Sequence, residues 1–174
     1  TTIATVKIVS RKNVCLYSGP PMDKSCDERL VTEFMIPEGK KIVCGGSSAN
    51  IVSRVLKQPL MPSIEYSDPE IPPTATIAGI DLVTEGVITL KRTVDILKSY
   101  VENPTGKEVL ASLDLKNGAS QIAKMLIEDC THLYLYIGQS INPAHQNPDL
   151  PFDLSIKMII LDELYSLMIK LGKV

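Results

Sequence analysis

The chain of 174 residues has two histidines, four cysteines with no pair at CxxC spacing, no block of like charge and no long apolar run. Each scarcity removes a class of function. A lone histidine such as His145, without Cys or His at ligand spacing, is poor ground for a metal site. A net charge of -2 leaves no basic footprint for nucleic acid. The apolar runs fall far short of the ~20 residues that a membrane-spanning helix needs. TTIATVKI, at the N-terminus, reads as a strand and lacks the charged and apolar regions of a signal peptide. A soluble, cytoplasmic protein with no membrane or nucleic-acid partner is expected. Cys15 and Cys44 fall in segments read as buried strands, Cys26 on a helix and Cys130 at a helix end, so reduced core thiols are expected. Cys44 alone precedes a glycine pair and a helix start, a setting that can lower a thiol pKa, but the local sequence has no partner His to make it a nucleophile. With 44% hydrophobic residues the chain can bury one core without metal or disulfide.

What the sequence does have is a recurring phrase: a short apolar, β-prone segment that stops at glycine. It occurs as VCLYSGPP (14–21), KIVCGGSSAN (41–50), IDLVTEGV (80–87) and LYLYIGQSIN (133–142). Helical patterns alternate with these segments, which implies parallel strands and places all four glycine turns along the carboxyl edge of one sheet. The expected fold is α/β, a three-layer Rossmann-like sandwich with a mostly parallel sheet of four or five strands.

The alternating segment 1–9 predicts a strand, and Arg11-Lys12-Asn13 breaks it. A chain that starts inside a strand pattern is expected to be a piece of a longer protein, with residues 1–12 as a final strand or linker of an upstream domain and 13–174 as the domain proper. Ser25 with Glu28 predicts a capping box, and Ser47 or Ser48 predicts the cap of the helix after the glycine pair. Five prolines in 58–78 are too many for a helix or a central strand and predict an ordered excursion or a flexible flap, with room for a short edge strand at 63–66. Helices are expected behind Gly86, at 119–129 and at 152–171, with a polar connection through Pro104 and Gly106. Gly172 caps the last helix, and Lys173-Val174 has the pattern of one more strand beginning.

The turn Gly45-Gly46-Ser47-Ser48-Ala49-Asn50 is the best anion-site candidate. Its glycines admit a close ligand, its hydroxyls donate, and a helix start presents free N–H groups. It has neither the lysine of a Walker motif nor GxGxxG, and a tight turn with a serine cap explains it as well. Glu85, beside Gly86, can accept from a ribose hydroxyl or act as a base, although an acidic turn residue is commonly just solvated. Gly19 and Gly138 border the same edge. Gln139, Ser140, Asn142 and His145 belong to a proline-restrained loop (138–151) with the composition of a recognition loop or of a solvated connection. These residues are the expected contacts of a small anionic or hydroxyl-rich ligand. No triad, carboxylate pair or metal cluster stands out.

KKIVCGGSSANIVSRVL (40–56), IPPTATIAGIDLVTEGVITL (71–90) and IGQSINPAHQNPDLPFDL (137–154) resemble the C-terminal extension of bacterial serine/threonine phosphatases of the stage II sporulation protein E type. TTIATVKI (1–8) is similar to the last strand of the phosphatase domain in that family. The resemblance implies an upstream phosphatase domain in cis that uses Mn or Mg. The metal-binding aspartates of that domain lie upstream of this sequence, so no cofactor is expected here and the catalytic residues of this chain stay unassigned. The leading expectation is a regulatory, ligand-sensing domain. An independent small-molecule enzyme using Glu85 or His145, and a dimerisation or protein-interaction module using 152–171, are the alternatives, with a homodimer as the default assembly.

Overall fold

The structure, a computed structural model, describes residues 2–4, 6, 8–63, 69–140 and 156–174. Residues 8–12 carry no regular structure, and Ile3, Val6 and Ile8 are exposed, so the strand expected at the N-terminus is not formed there. The apolar alternation of that segment meets no partner strand among the described residues.

The domain starts with β1 (Asn13–Ser18), α1 (Asp27–Met35), β2 (Lys40–Cys44) and α2 (Gly46–Leu56). Two short strands follow, β3 (Met61–Pro62) and β4 (Ala75–Thr76), and then β5 (Leu82–Thr84). The chain continues through α3 (Val87–Glu102), α4 (Lys107–Leu113), α5 (Gly118–Glu128), β6 (His132–Ile137) and α6 (Ile156–Lys170).

The sheet is six-stranded and mixed, in the order β3-β4-β5-β2-β1-β6. Four strands, β5, β2, β1 and β6, are mutually parallel, while β4 runs antiparallel to β5 and β3 antiparallel to β4. This corrects the expectation of a mostly parallel sheet with four or five strands. The proline-rich excursion adds the antiparallel pair, and Ser63 N–H donates to the Thr74 carbonyl at 2.8 Å to tie its two arms. Pro62 is tolerated because β3 is the outermost strand and a proline there has no inner ladder bond to lose.

Side-chain alternation sends the strand residues to opposite faces. Val14, Leu16, Ile42, Cys44 and Leu82 meet α3, α5 and α6, and Cys15, Tyr17, Val43 and Val83 meet α1 and α2. Strands covered on both faces read as continuous apolar runs, which is why VCLY and IVC lack polar alternation. Truncating a fully buried side chain such as Leu16 to alanine costs about 2–5 kcal/mol.

Helix ends and short connections depart from the sequence expectation more than the long segments do. The expected capping box is replaced by a 3-10 turn at Lys24–Cys26, where Asp23 Oδ1 accepts from Ser25 N–H at 2.8 Å. α5 begins at Gly118, with Asn117 Oδ1 accepting from Ser120 N–H at 2.9 Å. The polar connection contains α4, whose sequence KEVLASL is made mostly of good helix formers and buries only Leu113. A seven-residue helix with one buried side chain leaves almost no periodic trace. The short edge strand sits at 61–62, and the 63–66 expectation lies largely outside the described residues. At the other end Gly172 takes φ 70° and Lys173 N–H donates to the Met168 carbonyl at 3.0 Å, the six-to-one bond of a left-handed helix stop.

Candidate functional site at the carboxyl edge

The connections from β1 to β2 to β5 step outward in one direction, with α1 and α2 on one face. The next connection, through α3, α4 and α5, returns across the other face and places β6 on the far side of β1. The direction of winding therefore reverses between β1 and β6, and open parallel sheets hold ligands beyond the carboxyl ends of the strands at such a reversal.

The four glycine turns meet there. Gly138 N–H donates to the Ser18 carbonyl at 3.0 Å, and Ser140 N–H to the Pro20 carbonyl at 3.1 Å, so the β1 and β6 turns run on together past the strands. A Cβ at Gly138 would overlap the carbonyl oxygens of Gly19 and Pro20, which explains glycine at this buried position on steric grounds alone. Gly19 N–H donates to Ser48 Oγ at 2.7 Å, joining the β1 turn to α2. Gly45, at φ 112°, donates its N–H to the Thr84 carbonyl at 2.9 Å, and a Cβ at Gly86 would stand 3.5 Å from Gly45 Cα.

Gly45 itself, rather than Ser47 or Ser48, occupies the cap position of α2. Ser48 lies one turn inside, fully buried, and its hydroxyl serves the neighbouring strand end instead of its own helix. Among the described residues no side chain caps α2, and Gly46, Ser47 and Asn50 are exposed at its first turn. The Glu85 carboxylate is the nearest group over Gly46, with Oε1 3.8 Å from where a Cβ would stand. A carboxylate at a helix N-terminus is favourable, so Glu85 fills in part the role an anionic ligand would take. Gln139 is exposed beside this edge and Ser140 is half-buried. Asn142 and His145 lie outside the described residues.

Lys157 is the residue that sequence reading missed. From the first turn of α6 its Nζ donates to the Gly138 carbonyl at 2.7 Å and stands close over Gly19. Burial pushes its pKa below the ordinary lysine value. Among the described residues no carboxylate pairs with it, and the Gly138 carbonyl is its hydrogen-bond acceptor there. The only available signal was the proximity of Lys157 to the glycine edge, which is tertiary.

Next to Lys157, a groove of about 510 Å³ runs along the outside of α3 and α6, walled by Ile71, Val87, Ile88, Ile156 and Ile159 with Lys91 and Arg92 among its polar members. On the opposite face Tyr17 carries a buried hydroxyl without a partner among the described residues, near the Asp27–Arg54 ion pair. Burial, and then the Asp27 charge, push the Tyr17 pKa up to about 12.

Cys15, Cys44 and Cys130 are buried thiols, whereas Cys26, at the cap position of α1, is half-exposed and lies outside the core, which corrects the expectation of a core thiol there. Cys44 is buried, and desolvation pushes its pKa up to about 12, which outweighs the Thr84 hydroxyl that lowers it. This corrects the suggestion that the helix start lowers it: the sulfur lies in the apolar face of the sheet, away from the free N–H groups. All four cysteines are unpaired with one another. Asp81 is structural, accepting from Lys41 N–H at 2.8 Å and Lys40 Nζ at 2.9 Å. Among the described residues no group of three or more His, Cys, Asp and Glu side chains is arranged to hold a metal, and no helix is long and apolar enough to cross a membrane. Compared with protein-family models, curated proteins and solved structures, the chain matches none.

Proposed function

We propose that this chain is a regulatory, ligand-sensing domain of three-layer Rossmann-like type that takes a small anionic or hydroxyl-rich molecule at the carboxyl edge of its sheet. In the full protein it modulates a serine/threonine phosphatase domain of the stage II sporulation protein E type, joined upstream in cis and using Mn or Mg. The link to that domain rests on the sequence resemblance. The ligand reading is carried by one observation: Lys157 stands over the contact between Gly19 and Gly138 without an acidic partner among the described residues, beside the uncapped first turn of α2. A partly buried ammonium and free N–H groups together favour a phosphate or carboxylate.

A thermal-shift screen of nucleotides, sugar phosphates and small carboxylates tests this reading. A ligand that binds only the folded state, at 100 times its dissociation constant, adds about 2.7 kcal/mol and moves the melting temperature by several degrees. At least one stabiliser is expected, and its shift should disappear in Lys157→Met while the unliganded protein still melts cooperatively. A screen without any stabiliser would count against a ligand site.

A second reading, an interaction or dimerisation module, has one observation in its favour. α6 buries Leu161, Leu164 and Met168 yet leaves Ile159 42%, Tyr165 59% and Ile169 54% exposed, so it is apolar on more than its inner face. Sedimentation at rising protein concentration separates this reading from the first.

A further inference from the structure

We propose that the outer edge of β6 is an acceptor for one more strand, parallel to β6 and entered directly from Val174. The occupant is an extended segment of the same polypeptide joined to Val174. Two backbone hydrogen bonds set the direction. Val174 N–H donates to the Thr131 carbonyl at 2.9 Å, and Leu133 N–H donates to the Val174 carbonyl at 2.7 Å. One residue bonded to both neighbours of His132 is the unit step of a parallel ladder, with Val174 opposite His132.

The rest of that edge is ready for the next steps. His132 and Gly138 direct their N–H groups to β1, so the odd-numbered residues between them face outward. The Leu133 carbonyl, both backbone groups of Leu135 and the Ile137 N–H have no partner among the described residues. In unbroken register the second and fourth residues after Val174 satisfy these groups.

Burial supports the same conclusion independently. β1, β2 and β5 are buried apart from the first residue of β1 and of β2, whereas all six residues of β6 are only half-buried. Leu133, Leu135 and Ile137 lean on one core cluster, and Tyr134 and Tyr136 on the other. A strand with apolar side chains on both faces is built for the interior of a parallel sheet, and here it stands at the rim. α6 packs on the same face as α3 and α5, which lets it serve as the crossover helix between β6 and a following parallel strand.

The test uses the full chain with five-residue extensions after Val174. Val-Thr-Val-Thr-Val is the strand-forming probe; the same extension with proline at its second and fourth positions lacks the two required donors, and a Gly-Ser extension has no strand tendency. Amide exchange at Leu135 and Ile137 should slow about tenfold or more in the first protein alone, with a higher melting temperature. Equal exchange in all three would overturn the proposal. So would strong protection of both amides in the unextended chain, because the edge would already be filled. Protection that grows with the concentration of the unextended chain would make a second copy the occupant and likewise sink the proposal.

Discussion

Ser48 Oγ accepts a 2.7 Å hydrogen bond from the backbone N–H of Gly19, so the first turn of α2 is tied to the end of β1 by a side chain buried in the sheet's carboxyl edge. That bond makes Ser48 and Ser47 unequal. Ser48→Ala strands the Gly19 donor in a partly buried site and is expected to cost about 1–3 kcal/mol in urea unfolding, against a change within about 0.5 kcal/mol for the exposed Ser47→Ala. Equal costs would show that the hydroxyl serves only as a local helix cap.

Two glycines of the chain are expected to respond very differently to alanine. At Gly138 a Cβ has no room between the Gly19 and Pro20 carbonyls, so backbone must move and the β1–β6 junction opens. Gly138→Ala should destabilise by more than about 3 kcal/mol or prevent accumulation of folded protein. At Gly172 a Cβ meets nothing within 4 Å and only the left-handed φ of 70° opposes it. About 1–2 kcal/mol is expected there, readable as a modest drop in melting temperature.

Glu85 is expected to compete with anions. Its carboxylate lies nearest to Gly46 at the α2 N-terminus, and neutralising it removes a like charge from the path of a phosphate. Phosphate titration followed by amide shifts of Gly46 and Ser47 should show tighter binding in Glu85→Gln than in the wild type, while Lys157→Met weakens it. Unchanged affinity in both variants would separate this helix start from any anion site.

Alkaline pH should weaken the fold in a defined window. Burial raises Cys44 from 9.0 to about 12, Cys130 from 9.0 to about 11 and Tyr17 from 10.0 to about 12. Each group holds its proton more firmly folded than unfolded, so its contribution is whole below the unfolded value and is lost as pH climbs toward the folded one. Urea midpoints should stay level up to about pH 8 and fall between about pH 9 and 12. Cys44→Ala should flatten that decline whatever it does to stability at neutral pH, and an undiminished slope would assign the loss elsewhere.

Much of the layout was legible in the sequence because it depends on short-range physics. Apolar runs such as VCLY and KIVC must be buried on both faces, glycines end them, and amphipathic helices follow; that alone put four turns on one edge. Spacing marks inward faces at Leu30, Val31, Phe34 and Met35, at Ile51, Val52, Val55 and Leu56, at Leu90, Val94, Leu97 and Val101, and at Ile122, Ala123, Leu126 and Ile127; Leu30, Met35, Val55, Leu56, Val101 and Ile127 are only partly buried at the flanks of these stripes, and the others are buried. Other features needed the fold. Strand order, the antiparallel pair β3 and β4, and the reversal between β1 and β6 depend on which segments meet across long separations in sequence, and no local pattern encodes that. Ser48 looks like a cap until Gly19 is placed beside it. Cys44 looks activated until its side chain is seen to point into the core. Lys157 is an ordinary helix residue in the sequence; only the packing of α6 across the β1 and β6 turns partly buries its ammonium and sets it against the Gly138 carbonyl.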